Sequence, residues 1–243
     1  MKQFLKSLMK WMGFDLVRVR NNHTSLDFHL KNVLEKYQIE CVLDVGANIG
    51  QYGESLRVLG FEGWIVSFEP VKAVFDKLNE RAKNDEKWMC YHCALGDEVG
   101  KKIINVYSSS VFSSFLTANA YSKEIWKSLE KSAPEEVTIR RLDDVLPEIM
   151  ELTKCKRYYL KLDTQGYDLQ AFRGSRASLV NIYAAQTELS LIHVYGDMTE
   201  PYEMLNTLQD NGYFVSGMYP INRDTSLAVI EFDCILVKRC EQN

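Results

Sequence analysis

Two stretches decide the fold: Cys41-Val-Leu-Asp-Val-Gly-Ala-Asn-Ile-Gly50, and downstream of it Trp64-Ile-Val-Ser-Phe-Glu-Pro70. Each is a short apolar run ending in an acid, and the first closes in a glycine turn. Such runs, bounded by Gly or Pro, predict buried strands of a parallel sheet, Cys41–Val45 and Trp64–Phe68. In a parallel α/β sheet, ligands bind beyond the carboxyl ends of the strands, where the chain order reverses. The two strand tips therefore predict a ligand site. Asp44, Gly46, Ala47, Asn48 and Gly50 form one side of it. Glu69 and Pro70 form the other, with Glu69 placed to take ribose hydroxyls.

The turn also selects the ligand. A dinucleotide fingerprint needs G-x-G-x-x-G, so that turn and helix N-terminus can receive a pyrophosphate. Here the spacing is Gly46-x-x-x-Gly50, with Asn48 where a middle glycine could sit. Asp44 adds a carboxylate beside the turn, which suits an ammonium group and disfavours phosphate. A phosphate-free nucleoside bearing an amino acid fits better than a dinucleotide, and S-adenosylmethionine is the candidate. A tight strand–helix turn with no ligand is the plainer alternative; it leaves two acids at paired strand tips unexplained.

Three motifs carry a resemblance. Asp44-Val-Gly-Ala-Asn-x-Gly50, Val66-x-Phe-Glu-Pro70 and Leu160-Lys-Leu-Asp-Thr-Gln-Gly-Tyr-Asp-Leu169 together resemble the FkbM family of S-adenosylmethionine-dependent methyltransferases, from about Cys41 to Val237. The resemblance implies a class I methyltransferase fold: a Rossmann-like α/β sandwich on a seven-stranded, mostly parallel sheet with an antiparallel last strand. It also implies O-methylation, and adenine contacts from the backbone at Cys93 and Ala94. Family members often carry Glu where this chain has Gln165, which weakens any role for that position as a base.

The periodicity agrees with such a sheet. Helices are predicted over His29–Tyr37, Gly50–Leu59, Val71–Asn84, Leu169–Ser178 and Glu200–Gly212. Strands are predicted over Trp88–Leu95, Tyr158–Leu162 and Tyr183–Leu189, with a closing pair at Tyr213–Met218 and Leu227–Val237. Extra strands at Lys101–Ser108 and Val137–Leu142, around the Ser-rich and aromatic loop Ser108–Tyr121, predict a small β insertion or lid within about 97–142. The organisation is then an amphipathic basic segment, 1–22, and a methyltransferase domain, 23–243.

Methyl transfer from a sulfonium needs an aligned nucleophile and a destination for its proton. Asp163, at the tip of Tyr158–Leu162, is the first candidate for the reactive centre and for the methionine ammonium group. Lys161 shares its side of the strand and is expected to pair with it. Glu188 ends the next strand, and the loop after it carries His193, a residue type suited to general-base work. Asp163, Glu188 and His193 are thus the candidate catalytic residues. Asp163 with Glu188 could instead hold magnesium, although two carboxylates are few for that, and no metal is assigned. Ser113, Ser114 and Phe115 resemble a recurring family segment and suggest contact with the acceptor.

Composition limits the partners. The 243 residues suffice for one large α/β domain, and no apolar run approaches the ~20 residues that cross a bilayer. Without a signal peptide, a cytoplasmic location is expected. Residues 1–20 carry +4 while the whole chain carries −4, so the body is acidic, which argues against a nucleic-acid groove. No Asn/Asp-Pro-Pro-aromatic motif, the usual mark of amino-group methylation, stands after Leu162. The expected acceptor is a hydroxyl of a small molecule or saccharide. A non-catalytic binding protein of the same fold and an N-methyltransferase are the alternatives. Lys2, Lys6 and Lys10 oppose Phe4, Leu5, Leu8 and Met12 on a helix ending near Gly13. This suits contact with the inner membrane face through residues 1–13, or docking on protein. Cys90-Tyr-His-Cys93 has no partner pair at metal spacing, and the cysteines are expected to be free thiols.

Overall fold

A computed structural model describes residues 2–13, 25–129 and 132–239. The chain runs α1 (Lys2–Trp11), α2 (Leu26–Lys36), β1 (Cys41–Val45), α3 (Gln51–Val58), β2 (Trp64–Phe68), α4 (Lys72–Ala82) and β3 (Trp88–Tyr91). It continues through β4 (Ala94–Leu95), β5 (Gly100–Tyr107), α5 (Ala120–Ile125), β6 (Ser132–Arg140), α6 (Leu142–Thr153) and β7 (Tyr158–Leu162). It ends with α7 (Asp168–Arg173), β8 (Ile182–Ser190), α8 (Pro201–Asp210), β9 (Tyr213–Arg223) and β10 (Val229–Lys238).

Seven strands form one sheet in the order β3-β2-β1-β7-β8-β10-β9. β1 pairs in parallel with β2 and with β7, while β10 runs antiparallel to both β8 and β9. This is the class I methyltransferase architecture expected from the sequence. The chain order reverses at β1, whose successors go first to one side and later to the other, so a crevice opens beyond its carboxyl end.

Side-chain alternation divides the core between two helical layers. Leu43 and Val45 join Leu142, Leu146, Leu169 and Leu208, from α6, α7 and α8. Val42 joins Leu30, Leu34, Leu56 and Leu78, from α2, α3 and α4. β1 is buried on both faces, which is why its sequence is a nearly continuous apolar run.

Three expectations need correction. The single strand predicted over Trp88–Leu95 is two. The Tyr91 carbonyl accepts from both Glu69 N and Cys93 N, the chain turns there, and β4 leaves to pair with β6. The strand predicted at Val137–Leu142 belongs to the longer β6, and Leu142 already begins α6. That helix was legible in Leu142, Val145, Leu146 and Ile149, a buried i, i+3, i+4, i+7 stripe. β9 is also longer than predicted and reaches Arg223.

The insertion is a three-stranded sheet, β4-β6-β5. Residues 108–118 rise from it as an arch, held by isolated bridges between Asn105 and Ser114 and between Ala118 and Tyr195. Among the described residues, no helix is long and apolar enough to cross a membrane. In α1, Phe4 and Trp11 are exposed, at 74% and 84%.

Candidate active site

One parity rule places the polar residues. On the sheet face toward α2 and α3, each strand starts apolar and turns polar at its tip. Val42 is followed by Asp44, Ile65 by Ser67 and Glu69, Tyr159 by Lys161 and Asp163, and Ala184 by Gln186 and Glu188. The antiparallel β10 gives the same gradient in reverse, through Ile235, Asp233 and Glu231. These tips border a cavity of about 520 Å³ beneath the 108–118 arch.

At one end of the cavity lies the glycine turn. Gly46 has φ +78°, and a Cβ there would stand 1.9 Å from the Asp163 carbonyl oxygen, so only glycine fits. Asn48 also takes a positive φ, +50°. Every N–H of the turn is already used. Gly46 and Ala47 donate to the Phe68 carbonyl, and Asn48 donates to Glu69 Oε2 at 3.0 Å. Ile49 donates to Asn48 Oδ1, and Gly50 to the Ala47 carbonyl. No backbone donor of residues 46–50 remains for a pyrophosphate, in keeping with a phosphate-free cofactor. The second oxygen of Glu69 accepts from Val71 N at 2.8 Å. Burial pushes the Glu69 carboxyl up to about 7, against the pull of these two amides.

Asp44 is placed differently from expectation. It lies inside the strand, one residue short of its end and beneath the turn, where it is fully buried and does not line the cavity. Oδ2 accepts from Ser67 Oγ at 3.3 Å, and Oδ1 lies 3.2 Å from Lys161 Nζ. Burial raises its carboxyl above the usual range, with Lys161 opposing. Lys161 does line the cavity, and its ammonium also donates to Asp163 Oδ2 at 3.0 Å, the pairing expected from the sequence. Burial works against the Lys161 charge, yet attraction to Asp163 and Asp44 carries its pKa above the ordinary lysine value. Asp44 therefore acts on the cavity through Lys161.

The other tips complete the wall. Gln165, with φ +54°, donates from Nε2 to Asp163 Oδ1 and to Glu188 Oε2, both at 3.1 Å. Glu188 is enclosed on the cavity wall. Burial, then the Asp163, Glu231 and Asp233 carboxylates, push its carboxyl well above the ordinary glutamate range. Gln186 Nε2 donates to Asp233 at 2.7 Å, and Gln186 Oε1 accepts from Tyr52 and Tyr159. Ser113 lies in the cavity lining, with a buried Oγ that has no hydrogen-bond partner among the described residues.

Of the candidates from sequence, Gly46, Ala47, Asn48, Glu69, Pro70, Ala94, Asp163 and Glu188 line this one cavity. Four do not. Asp44 is beneath the floor, and Gly50 packs against Leu78 and Trp88. Cys93 is buried one residue before the lining begins at Ala94. His193 turns outward, its imidazole 3.7 Å from Glu200, so it is not positioned as a base. Sequence reasoning missed Gln186, Glu231, Asp233 and Tyr52. The signal for two of them was present: Glu231 and Asp233 are alternate acids in the otherwise apolar β10. Cys41, Cys90, Cys93, Cys155 and Cys234 are free, and no group of three or more His, Cys, Asp or Glu among the described residues is arranged to hold a metal.

A curated relative, Methyltransferase 1 of Beauveria bassiana (strain ARSEF 2860), is 26% identical over 145 residues, 55% of this chain and 57% of that protein. The match thus spans little more than half of the relative's length. Among solved structures, the chain is similar to magnesium protoporphyrin IX methyltransferase from Synechocystis PCC 6803 with bound SAM. That likeness has a TM-score of 0.44 and 11% identity, over 98% of this chain and 97% of that one. It is also similar to Aeropyrum pernix fibrillarin with bound S-adenosyl-L-methionine, with a TM-score of 0.44 and 12% identity, over 82% and 66%. The family model for the methyltransferase FkbM domain matches residues 44–215, most of the chain and all three motifs, and the protein belongs to the FkbM methyltransferase domain family.

Proposed function

We propose that this methyltransferase uses S-adenosylmethionine to methylate a hydroxyl of a small molecule or glycan, with Glu188 as proton acceptor. One observation carries the reading. A single cavity joins the donor-depleted turn and Glu69 at one end to Asp163, Gln165 and Glu188 at the other. The cofactor, when bound, supplies a sulfonium-activated methyl group. Glu69 is placed for the ribose hydroxyls, and Ala94 for the adenine edge. Asp163 faces the amino-acid end beside Lys161. The acceptor hydroxyl loses its proton to a carboxylate as its oxygen bonds to the methyl carbon and the carbon–sulfur bond breaks.

Among the three candidate bases, Glu188 is best suited. Both Asp163 oxygens already accept, from Lys161 and from Gln165, and His193 points away. Glu188 accepts on Oε2 alone in the hydrogen bonds described, and Oε1 is the oxygen available to a substrate. A cationic sulfonium nearby favours its ionised form. Radiolabelled methyl transfer to a library of sugars and alcohols tests the reading. Glu188→Gln should lower kcat by roughly 10²–10⁴-fold, the usual contribution of a general base, while calorimetry shows cofactor affinity little changed. Transfer confined to amines, or undiminished transfer in the variant, would refute it.

The same reading places the protein in the cytoplasm, with residues 1–13 against the inner membrane face. The exposed Phe4 and Trp11 of α1 and the three lysines of that segment support this. Equal membrane association of a 14–243 truncation would remove it.

A further inference from the structure

We propose that Gln165 is a positioning residue that fixes Glu188 and couples it to the arch over the cavity. The inference rests on the reading of Glu188 as proton acceptor, and its geometry stands independently of the acceptor's identity.

Gln165 uses its whole side-chain amide. Two carboxylate oxygens, Asp163 Oδ1 and Glu188 Oε2, lie on one side of it, and the Tyr195 hydroxyl lies 3.1 Å from Oε1 on the other. Ionised carboxylates accept only, so this orientation gives Asp163 and Glu188 their donor, while the single Tyr195 hydroxyl proton is shared between Gln165 Oε1 and the Phe112 carbonyl. The backbone carbonyl of Gln165 also accepts from Ser114 Oγ at 2.7 Å. Tyr195 is 1% exposed, and its hydroxyl reaches the Phe112 carbonyl at 2.8 Å. Ser114 and Phe112 both belong to the 108–118 arch. One residue at the tip of β7 therefore touches both acids and, directly or through Tyr195, two points of the arch.

The cost of holding Gln165 at φ +54° points the same way. A positive φ is uncommon for a non-glycine residue and persists where surrounding contacts over-determine it. Gly166 follows at φ +93°, where a Cβ would stand 2.8 Å from Leu116 of the arch. The turn is thus shaped to seat the arch and present the amide at once. Displacement of the arch would pull on Tyr195 and Ser114, and so on the amide that holds Glu188.

The groups facing Glu188 are Asp163 at the tip of β7, Glu231 and Asp233 from β10, Asp168 from α7, the ammonium of Lys161 and Tyr195. Into this set Gln165 brings an N–H donor and no charge. Removing the donor removes a hydrogen bond to the ionised form, and a carboxylate in its place adds a like charge. Both changes make Glu188 harder to ionise.

The full-length protein tests this without an acceptor. Glu188 is followed by NMR through its labelled side-chain carboxyl carbon across a pH titration, in wild type, Gln165→Glu, Gln165→Leu and Tyr195→Phe. The titration midpoint should rise by about one pH unit or more in Gln165→Glu, and less in Gln165→Leu, from the like charge and the lost donor. Tyr195→Phe, which keeps the N–H donors and frees the arch, should give a smaller rise and serves if the Gln165 variants fail to fold. Where transfer is measurable, kcat should fall on the acid side of the pH profile. An unmoved Glu188 midpoint in both folded Gln165 variants, or in Tyr195→Phe when it alone folds, overturns the proposal. A midpoint that moves as expected in a protein that transfers no methyl group leaves Gln165 as the positioning residue and overturns the reading of the reaction.

Discussion

Glu69→Gln separates the folding cost of this cavity-lining acid from the cofactor-binding role proposed for it. In the folded protein its carboxyl titrates at about 7, against an ordinary 4.5, chiefly through burial. Between those two values the folded state holds a proton that the unfolded chain has released. Stability therefore falls as pH rises through this window and is lowest above it. The difference of roughly 2.5 units, at 1.36 kcal/mol each, amounts to about 3 kcal/mol. Glutamine cannot ionise, so the variant lacks this slope. It gives up one of the two acceptors used by Asn48 N and Val71 N, a pH-independent cost of about 1–3 kcal/mol.

Urea unfolding of both proteins from pH 4.5 to 8 at constant ionic strength provides the measurement. The difference cancels the titrations of the other buried acids, among them Asp168 and Asp233. It should shift by about 3 kcal/mol in favour of the variant across the window. Parallel curves, differing by a constant within about 0.5 kcal/mol, would refute the claim that burial governs Glu69. Calorimetry on the same variant tests the other role. If the carboxylate takes the ribose hydroxyls, S-adenosylmethionine affinity falls and its rise with pH between 6 and 8 disappears.

Two further changes probe the floor of the cavity. Gly46→Ala brings a Cβ within 1.9 Å of a backbone oxygen at φ +78° and should destabilise by at least ~2 kcal/mol in urea unfolding. A loss under about 1 kcal/mol would mean the turn has slack this geometry denies. Lys161→Met leaves Asp44 fully buried without its cation and should cost about 3–5 kcal/mol. Adding Asp44→Asn should recover much of that, and strict additivity of the two in a double-mutant cycle would contradict the coupling.

The fold was legible because its signals are local and repeated. β1 and β2 are short apolar runs closed by an acid and a turn, and their bounds match the structure to the residue. The failures share a cause: the decisive contact lies far away in sequence. Whether Trp88–Leu95 is one strand or two depends on Glu69 competing for the Tyr91 carbonyl and on β6 arriving to pair with β4. α6 is a different case, since its apolar stripe was readable but followed directly on strand-like residues.

The site divides along the same line. Residue type and strand position picked out Glu69, Asp163 and Glu188, but among acids of the same parity only depth along the strand says which reach the cavity. Asp44 and Glu69 both close apolar runs, yet Asp44 is the fourth residue of a five-residue strand and Glu69 stands one past the end of its own. That two-residue difference along the strand decides the outcome: Asp44 stays inside the pleat and meets Lys161, whereas Glu69 emerges and lines the cavity. The motif acid is thus an anchor set under the floor, fixing the ammonium that fixes Asp163. On β1 and β2 the acid that clears the last paired residue lines the cavity, and the one that falls short of the strand end acts on it through its neighbours.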